Sequence, residues 1–221
     1  MNDRLATNGE GTSEQRVKLT QFIVAALMLV TFLVYVLAAA SVVRTLRKPF
    51  LGALVEPTLV VNNVDESDWQ GRAGGLTFLD HLVALDEQAL TRPHTLYDAL
   101  KRYEVGDSVS LTIKDPSGVR REVSVTLQAF PASAVIGFFV IPYAIGLVYL
   151  LLGLVVFVAR RDKAAGRAFP LFCVAFALVV GLLFDLYTTH RLMQLWVVGA
   201  AMLGGTMIDL ALVFPKRSSL F

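Results

Sequence analysis

Apolar and polar positions fall into separate blocks along this 221-residue chain. Four apolar runs, residues 20–43, 134–159, 168–188 and 193–214, have the length at which a helix crosses the roughly 30 Å hydrocarbon core of a bilayer. Twenty-two charged residues lie between positions 44 and 122, after the first run and before the second. This pattern predicts an α-helical membrane protein with four transmembrane helices and an inserted polar domain between spans 1 and 2.

In the polar insert, residues 46–130, the long apolar runs give way to short alternating segments and one short helical stretch, which predicts an α+β domain. Residues 109–113 and 123–127 alternate between apolar and polar positions, which predicts two half-buried strands. The sequence Asp115-Pro116-Ser117-Gly118 between them is typical of a tight turn, so the two strands form a hairpin. The other predicted elements are strands at 59–61 and 82–85 and a helix over 95–103 with the apolar stripe Leu96, Leu100 and Tyr103.

Basic residues in the short loops predict the orientation of the spans. The loop 160–167 holds four basic residues in eight positions and is expected in the cytoplasm. Residues 1–19 and 215–221 then form cytoplasmic tails, and the insert lies outside. A basic cluster directly after span 1 argues the other way, but long polar domains cross membranes largely regardless of charge. We therefore predict a multi-pass protein of the inner cell membrane with both termini in the cytoplasm.

Four short motifs in the insert occur in the order found in bacterial PDZ domains. They are Phe50-Leu51-Gly52, Ala73-Gly74-Gly75-Leu76, the stretch DHLVALDEQAL at 80–90, and Val105-Gly106-Asp107-Ser108-Val109. With these motifs the insert resembles the PDZ domains of HtrA-type and site-2 proteases. It departs from the family pattern at Leu79, where a glycine usually precedes Asp80, and at Asp86-Glu87, which replaces an Asn-Gly turn.

The resemblance implies capture of a peptide as an added β-strand, with its C-terminal carboxylate held by backbone N–H groups. The peptide-binding residues it implies are Phe50, Leu51, Gly52, Ala53 and Leu54 in the loop and following strand, and Leu96 and Leu100 on the helix. Gly52 suits this role because a side chain there would obstruct the carboxylate. In the alternative interpretation, Leu96 and Leu100 only fill the core, and the groove docks against the lipid bilayer or a second copy of the chain in a homodimer.

Residue types that carry catalysis do not occur at the spacing that the chemistry needs. The three histidines, His81, His94 and His190, are not paired in a His-Glu-x-x-His motif, and no ATP, NAD or metal motif occurs. Cys173 lies among apolar residues without a basic partner, which is typical of inert packing. The net charge of +2 gives no field that would recruit nucleic acid. We therefore expect no catalytic residue, no metal or other cofactor and no nucleic-acid partner.

Ionisable residues at the end of span 3 form a second candidate site. Asp185, His190 and Arg191 lie within two turns of one another, in the sequence FDLYTTHR. Charged groups inside spans are costly, so they are candidates for function by default. The sharper hypothesis is a polar sensor cluster, and the simpler one is a cap at the membrane interface.

The order of elements resembles the N-terminal input region of ComP-type histidine kinases of bacteria. The features that carry this are the PDZ-like motifs, the Pro-containing span PYAIGLVYLLLGLVVFVARR that follows them, and the segments FDLYTTHR and LALVFPKR. The resemblance implies a sensory input module for signal transduction that binds an extracytoplasmic peptide or protein C-terminus. We expect a longer parent protein with an output domain after Phe221. The alternative is a PDZ adaptor for an envelope protease or membrane assembly, without signalling output.

Overall fold

The computed structural model describes residues 3–64 and 69–213 of the chain. Within them, the helices are α1 (Asp3–Leu46), α2 (Gln70–Ala73), α3 (Pro93–Leu100), α4 (Ala132–Val135), α5 (Ile141–Arg160), α6 (Ala165–Gly181), α7 (Leu183–Tyr187) and α8 (Met193–Val213), and a π-helical stretch, Ile136–Val140, joins α4 to α5. The strands are β1 (His81–Leu85), β2 (Gln88–Ala89), β3 (Ser108–Lys114) and β4 (Arg120–Thr126). The expected tail 215–221 lies outside the described residues.

Four helical segments are long and apolar enough to cross a membrane, as the apolar runs predict. They cover Glu14–Leu46, Ala132–Arg160, Ala165–Tyr187 and Met193–Val213. The first helix extends beyond the expected span 20–43 at both ends and begins within the stretch 1–19 that was expected to be a tail. The third segment is interrupted, because α6 ends at Gly181 and the short α7 follows.

The chain divides into two compact units, which are described separately. A helical unit comprises Met1–Leu37, Pro142–Gly181 and Gln194–Phe221, and an insert unit comprises Ala38–Ile141 and Leu182–Met193. The insert unit therefore contains the polar insert together with a twelve-residue piece from much later in the chain, which the sequence pattern assigned to the third span and the turn after it.

Within the helical unit, α1, α5 and α6 meet at a buried tyrosine. The Tyr35 hydroxyl donates a hydrogen bond to the Ala177 carbonyl at 2.7 Å, so its polar atom is satisfied away from water. Gly146 and Gly181 make room for it, because a Cβ on either glycine would lie within 2.2 Å of the Tyr35 hydroxyl oxygen. Small residues thus allow close helix packing here, a device common in membrane helices.

Within the insert unit, a four-stranded antiparallel sheet has the order β2-β1-β3-β4. β3 and β4 pair in continuous register from Ser108–Thr126 to Lys114–Arg120. Side chains alternate across such a sheet, and the apolar positions of both strands face the core as predicted. The core residues from these two strands are Val109, Leu111, Ile113, Val123 and Val125.

The other predicted elements of the insert are present in part. Residues 82–85 lie in β1, whereas 59–61 form only isolated bridges, Val55 with Val61 and Val60 with His81. The predicted helix over 95–103 is shorter, because α3 begins at Pro93 and ends at Leu100. Tyr103 lies beyond it, and its hydroxyl donates to the carboxylate of Asp86.

A second, aromatic cluster lies beside the main core of the insert unit. The rings of Phe50 and Trp69 pack edge-on at 5.1 Å, and those of Phe50 and Phe130 lie 4.5 Å apart. From the later piece of the chain, Phe184 packs 5.4 Å from Phe130 and Tyr187 packs 5.6 Å from Phe138. Burial of large aromatic rings is strongly stabilising, so this cluster holds residues 182–187 against the insert.

Leu79, at the position where the family pattern has glycine, adopts the backbone that glycine favours, with φ +71°. Its side chain is 48% exposed, so it gains little packing in return. Leu79→Gly should therefore raise the free energy of unfolding by about 0.5–1 kcal/mol, measured by denaturation of the full chain in micelles.

The matched control is Leu59, which has φ +64° but is 4% exposed. Leu59→Gly should destabilise the protein, because the lost burial outweighs the relief of strain. If Leu79→Gly instead lowered the free energy of unfolding, backbone strain at Leu79 would not be what destabilises the folded chain at this position.

Candidate functional site

A groove in the insert unit lies between residues 51–55 and α3. Glu56 N–H donates to Val60 O, and Asn62 N–H donates to Leu54 O, both at 2.8 Å, so residues 54 and 56 face the neighbouring chain at 60–62. Val55, which lies between them, directs its N–H and C=O groups to the opposite side. Within the described residues, no backbone group pairs with Ala53 or Val55 there. The result is an open strand edge next to a helix.

The groove wall is apolar and comes from both elements. Leu51 and Ala53 on one side and Leu96 and Leu100 on the other line it, and all four also belong to the main core. The space left between them is about 30 Å³, room for roughly two water molecules. Phe50 lines the same groove, so five of the seven predicted peptide-binding residues come together, with little space left between them.

The Leu54 side chain and the backbone N–H groups of the loop are placed differently. Leu54 packs with Phe50 and Trp69 in the aromatic cluster, on the face opposite to Ala53 and Val55, because side chains alternate along an extended chain. Phe50 N–H donates to Gln128 O at 2.7 Å and is therefore engaged inside the domain. Within the described part of the chain, the N–H groups of Leu51 and Gly52 have no backbone acceptor.

Gly52 is required for a reason other than the one expected from the sequence. Its φ is +73°, and a Cβ built on it would lie 2.3 Å from the Gly71 nitrogen and 2.9 Å from the Gln70 nitrogen. The space above Gly52 is thus filled by the backbone of α2, so its glycine allows two stretches of the same chain to pack closely. Obstruction of a ligand does not explain it.

Lys48 is a candidate binding residue that sequence reasoning used only for orientation. Its half-buried side chain lines the groove next to Phe50 and Leu51. Burial lowers the pKa of Lys48, and the nearby cations Lys101 and Arg191 lower it further. A carboxylate arriving at this end of the groove would relieve that repulsion. The available signal was a basic residue two positions before the Phe-Leu-Gly motif.

Residues 188–192, called here the covering segment, lie over the groove. Thr188 and Thr189 line its remaining side. The His190 ring donates from Nε2 to the Val55 carbonyl oxygen at 2.8 Å, and its centroid lies 6.4 Å from that of Tyr97 in an edge-on arrangement. Because a carbonyl only accepts, Nε2 carries the proton. The open edge at Val55 is therefore met by a side chain from the covering segment.

Asp185 organises the covering segment through hydrogen bonds. It is 7% exposed, its carboxylate accepts the Leu192 N–H at 2.7 Å and the Thr189 hydroxyl, and its backbone carbonyl accepts the His190 N–H at 2.8 Å. Among the described residues, no ion pair joins Asp185 to His190 or Arg191. The three members of the predicted polar cluster thus occupy one turn in different roles: Asp185 caps the turn, His190 contacts the groove edge, and Arg191 is exposed.

Tyr97 is a groove residue that the apolar stripe on the predicted helix does not include. It follows Leu96 on α3, lines the groove and faces His190. Burial raises the pKa of Tyr97, and the charge of Asp185 adds to this effect. A neutral aromatic ring thus forms part of the surface that receives the covering segment.

No protein-family model matches this chain, and no curated protein matches it. Among solved structures it is similar to an HtrA-type protease, AlgW with decapeptide, at 20% identity and a TM-score of 0.34, over 38% of this chain and 30% of that one. It is also similar to an aminopeptidase N family protein from Idiomarina loihiensis, at 23% identity and a TM-score of 0.34, over 38% of this chain and 14% of that one. The matched region thus spans less than a third of either of these chains.

Substitution of Gly52 tests the packing that shapes the groove. Gly52→Ala should lower the free energy of unfolding by more than about 2 kcal/mol, because the new Cβ adds a backbone clash to an unfavourable φ. The control is Gly106→Ala, at φ +101° with nothing within 4 Å of the added Cβ, which should cost only the strain, about 1 kcal/mol. Equal losses, measured by denaturation in micelles, would contradict the close approach of Gly52 and α2.

Proposed function

We propose that residues 46–130 form a PDZ-like domain that captures the C-terminus of an extracytoplasmic peptide or protein. In this proposal the chain is a membrane-anchored sensory input module of a bacterial signal transducer, of the kind found in ComP-type histidine kinases. The module binds and transmits, and it catalyses nothing. The strand edge at Ala53 and Val55, open to a backbone partner and bordered by the apolar wall of Leu96 and Leu100, carries the proposal.

The hydrogen bond to Val55 supports the use of this edge. The Val55 carbonyl accepts a hydrogen bond from the His190 ring, so a donor can approach the edge in the plane of the strand. A peptide added as a strand offers such donors from its own backbone at every second residue. Its side chains would alternate between the apolar wall and solvent, so a hydrophobic C-terminal side chain suits the position between Leu51 and Leu100.

The carboxylate end of the ligand would lie near Leu51 and Gly52. Their N–H groups have no backbone acceptor within the described residues, and Lys48 lies at the same end of the groove. Hydrogen bonds between N–H groups and an ionised carboxylate are stronger than neutral ones, and a lysine adds direct charge attraction. This end therefore favours a free C-terminus over an internal peptide segment.

The membrane topology in this proposal follows from charge in the loops. The loop between α5 and α6 is basic and would lie in the cytoplasm, so the insert and the covering segment would share the outer side. A ligand outside the cell would then reach a site that includes the link between α6 and α8. That link gives a binding event outside the cell a route to two membrane helices.

Peptide capture is tested with the full chain in lipid nanodiscs, using fluorescein-labelled decapeptides of random sequence that end in Leu, Ile, Val or Phe. We expect saturable binding by fluorescence anisotropy, with at least tenfold weaker binding of the same peptides carrying a C-terminal amide. Lys48→Met should weaken capture of the free-carboxylate peptides about three- to tenfold. Lys114→Met, an exposed lysine on β3 outside the groove, is the matched control. Equal binding of amide and acid peptides, or none, would rule the proposal out.

Orientation is tested by thiol labelling of intact cells. In a Cys173→Ala background, Ser117→Cys in the β3–β4 turn should react with a membrane-impermeant maleimide. Lys163→Cys in the basic loop should react only after permeabilisation, because it is expected in the cytoplasm. The reverse labelling pattern would place the groove inside the cell and overturn the extracytoplasmic site.

A further inference from the structure

The covering segment occupies the place that the proposed ligand needs. His190 uses the Val55 carbonyl, which is the acceptor on the open edge, and Thr188 and Thr189 close the groove beside Leu51 and Leu100. Only about 30 Å³ is left in the groove while the segment is in place. A peptide strand and the covering segment therefore compete for one site.

The anchoring of the covering segment is firm at one end and weak over the groove. Phe184 is buried in the aromatic cluster, and Asp185 caps the turn that follows. His190, in contrast, holds the edge by a single side-chain hydrogen bond. Its Nδ1 is buried and has no partner within the described residues, and its φ is +56°, in the left-handed region that L side chains rarely adopt. These costs make the contact at Val55 the one that a competing strand can replace.

We propose that the covering segment, residues 188–192, is an internal ligand of the groove, and that a peptide gains access to the strand edge by displacing His190 from Val55. This inference rests on the proposed function, because it concerns the regulation of the same site. A peptide strand replaces one side-chain hydrogen bond with several backbone ones, so a matching peptide has the advantage over the internal ligand. A ligand that binds too weakly cannot displace the covering segment, so the chain itself discriminates against weak ligands.

Displacement has a consequence for the neighbouring helices. The covering segment is the last part of the covalent link between α6, which ends at Gly181, and α8, which begins at Met193, and α7 is the first part. When His190 leaves Val55, the last part of that link loses its contact with the insert, whereas the anchor at Phe184 stays. Ligand capture is then converted into a change in the link between two helices that are apolar enough to span a membrane.

The test compares peptide affinity between variants of the full chain in lipid nanodiscs, with the fluorescein-labelled hydrophobic decapeptides as the probe. His190→Ala removes the competing hydrogen bond and should lower the apparent Kd about three- to tenfold. His190→Gln keeps a side-chain N–H donor and should stay within twofold of the unmodified chain. Gln194→Ala, an exposed residue beyond the segment, should change nothing. Equal affinity of His190→Ala and the unmodified chain would overturn the inference while leaving peptide capture intact.

Amide hydrogen exchange provides the second readout. Asp185 accepts the His190 and Leu192 amides within a turn that rests on the groove, so displacement of His190 should loosen that turn. Saturating peptide should therefore speed exchange at both amides of the unmodified chain, and binding that leaves their exchange unchanged would also overturn the inference. If no variant binds any peptide, the proposed function fails. In that case faster exchange at residues 188–192 in His190→Ala than in Gln194→Ala would still establish that the covering segment docks on the groove through His190. Equal exchange in the two variants would refute that docking.

Discussion

A backbone carbonyl on an unpaired strand edge must find a hydrogen-bond donor when it is covered, and this requirement organises the insert unit. Val55 has no backbone partner on its open side within the described residues, and the His190 side chain provides the donor. The turn that presents His190 depends on Asp185, whose carboxylate caps the backbone at Leu192. Phe184, one residue earlier, anchors that turn in the aromatic cluster. The edge, the turn and the anchor therefore form one connected arrangement.

The helical unit solves a related problem with a different device. The Tyr35 hydroxyl lies in an apolar environment, and the Ala177 carbonyl on α6 accepts a hydrogen bond from it. Gly146 and Gly181 leave the room that the ring needs. In both units a side-chain donor meets a backbone carbonyl far away in the chain, which satisfies a polar group among apolar neighbours.

Much of the fold could be predicted because its signals are local. Apolar runs identify the helices long enough to span a membrane, and alternation at 109–113 and 123–127 identifies the core face of the hairpin. Boundaries that depend on tertiary contacts could not be predicted in this way. The break after Gly181 falls inside one uncharged apolar run, residues 168–184, so hydropathy does not mark it, and it becomes meaningful only because Phe184 packs against the insert.

The same distinction between local signals and tertiary contacts applies to the candidate site. Leu51, Ala53, Leu96 and Leu100 could be assigned to the groove from motifs and helical spacing. The partner of Val55 could not, because His190 lies 135 residues later and no period connects the two. Proximity within FDLYTTHR suggested instead that Asp185, His190 and Arg191 act together. In the folded chain Asp185 holds the His190 backbone, but the His190 ring contacts Val55 and Arg191 is exposed. A short polar sequence indicates that a turn is important, but the contacts decide what it does.

The account depends most on exchange of partners at Val55, and the His190 ring reports that exchange directly. Nitrogen NMR of the full chain labelled with ¹⁵N-histidine, with the His190 signal assigned through His190→Gln, gives one resonance pair to follow during titration with a hydrophobic decapeptide. We predict that the His190 signal moves in step with peptide saturation while that of His81, an exposed residue of β1, stays in place. Saturable peptide binding with an unmoved His190 signal would contradict the account.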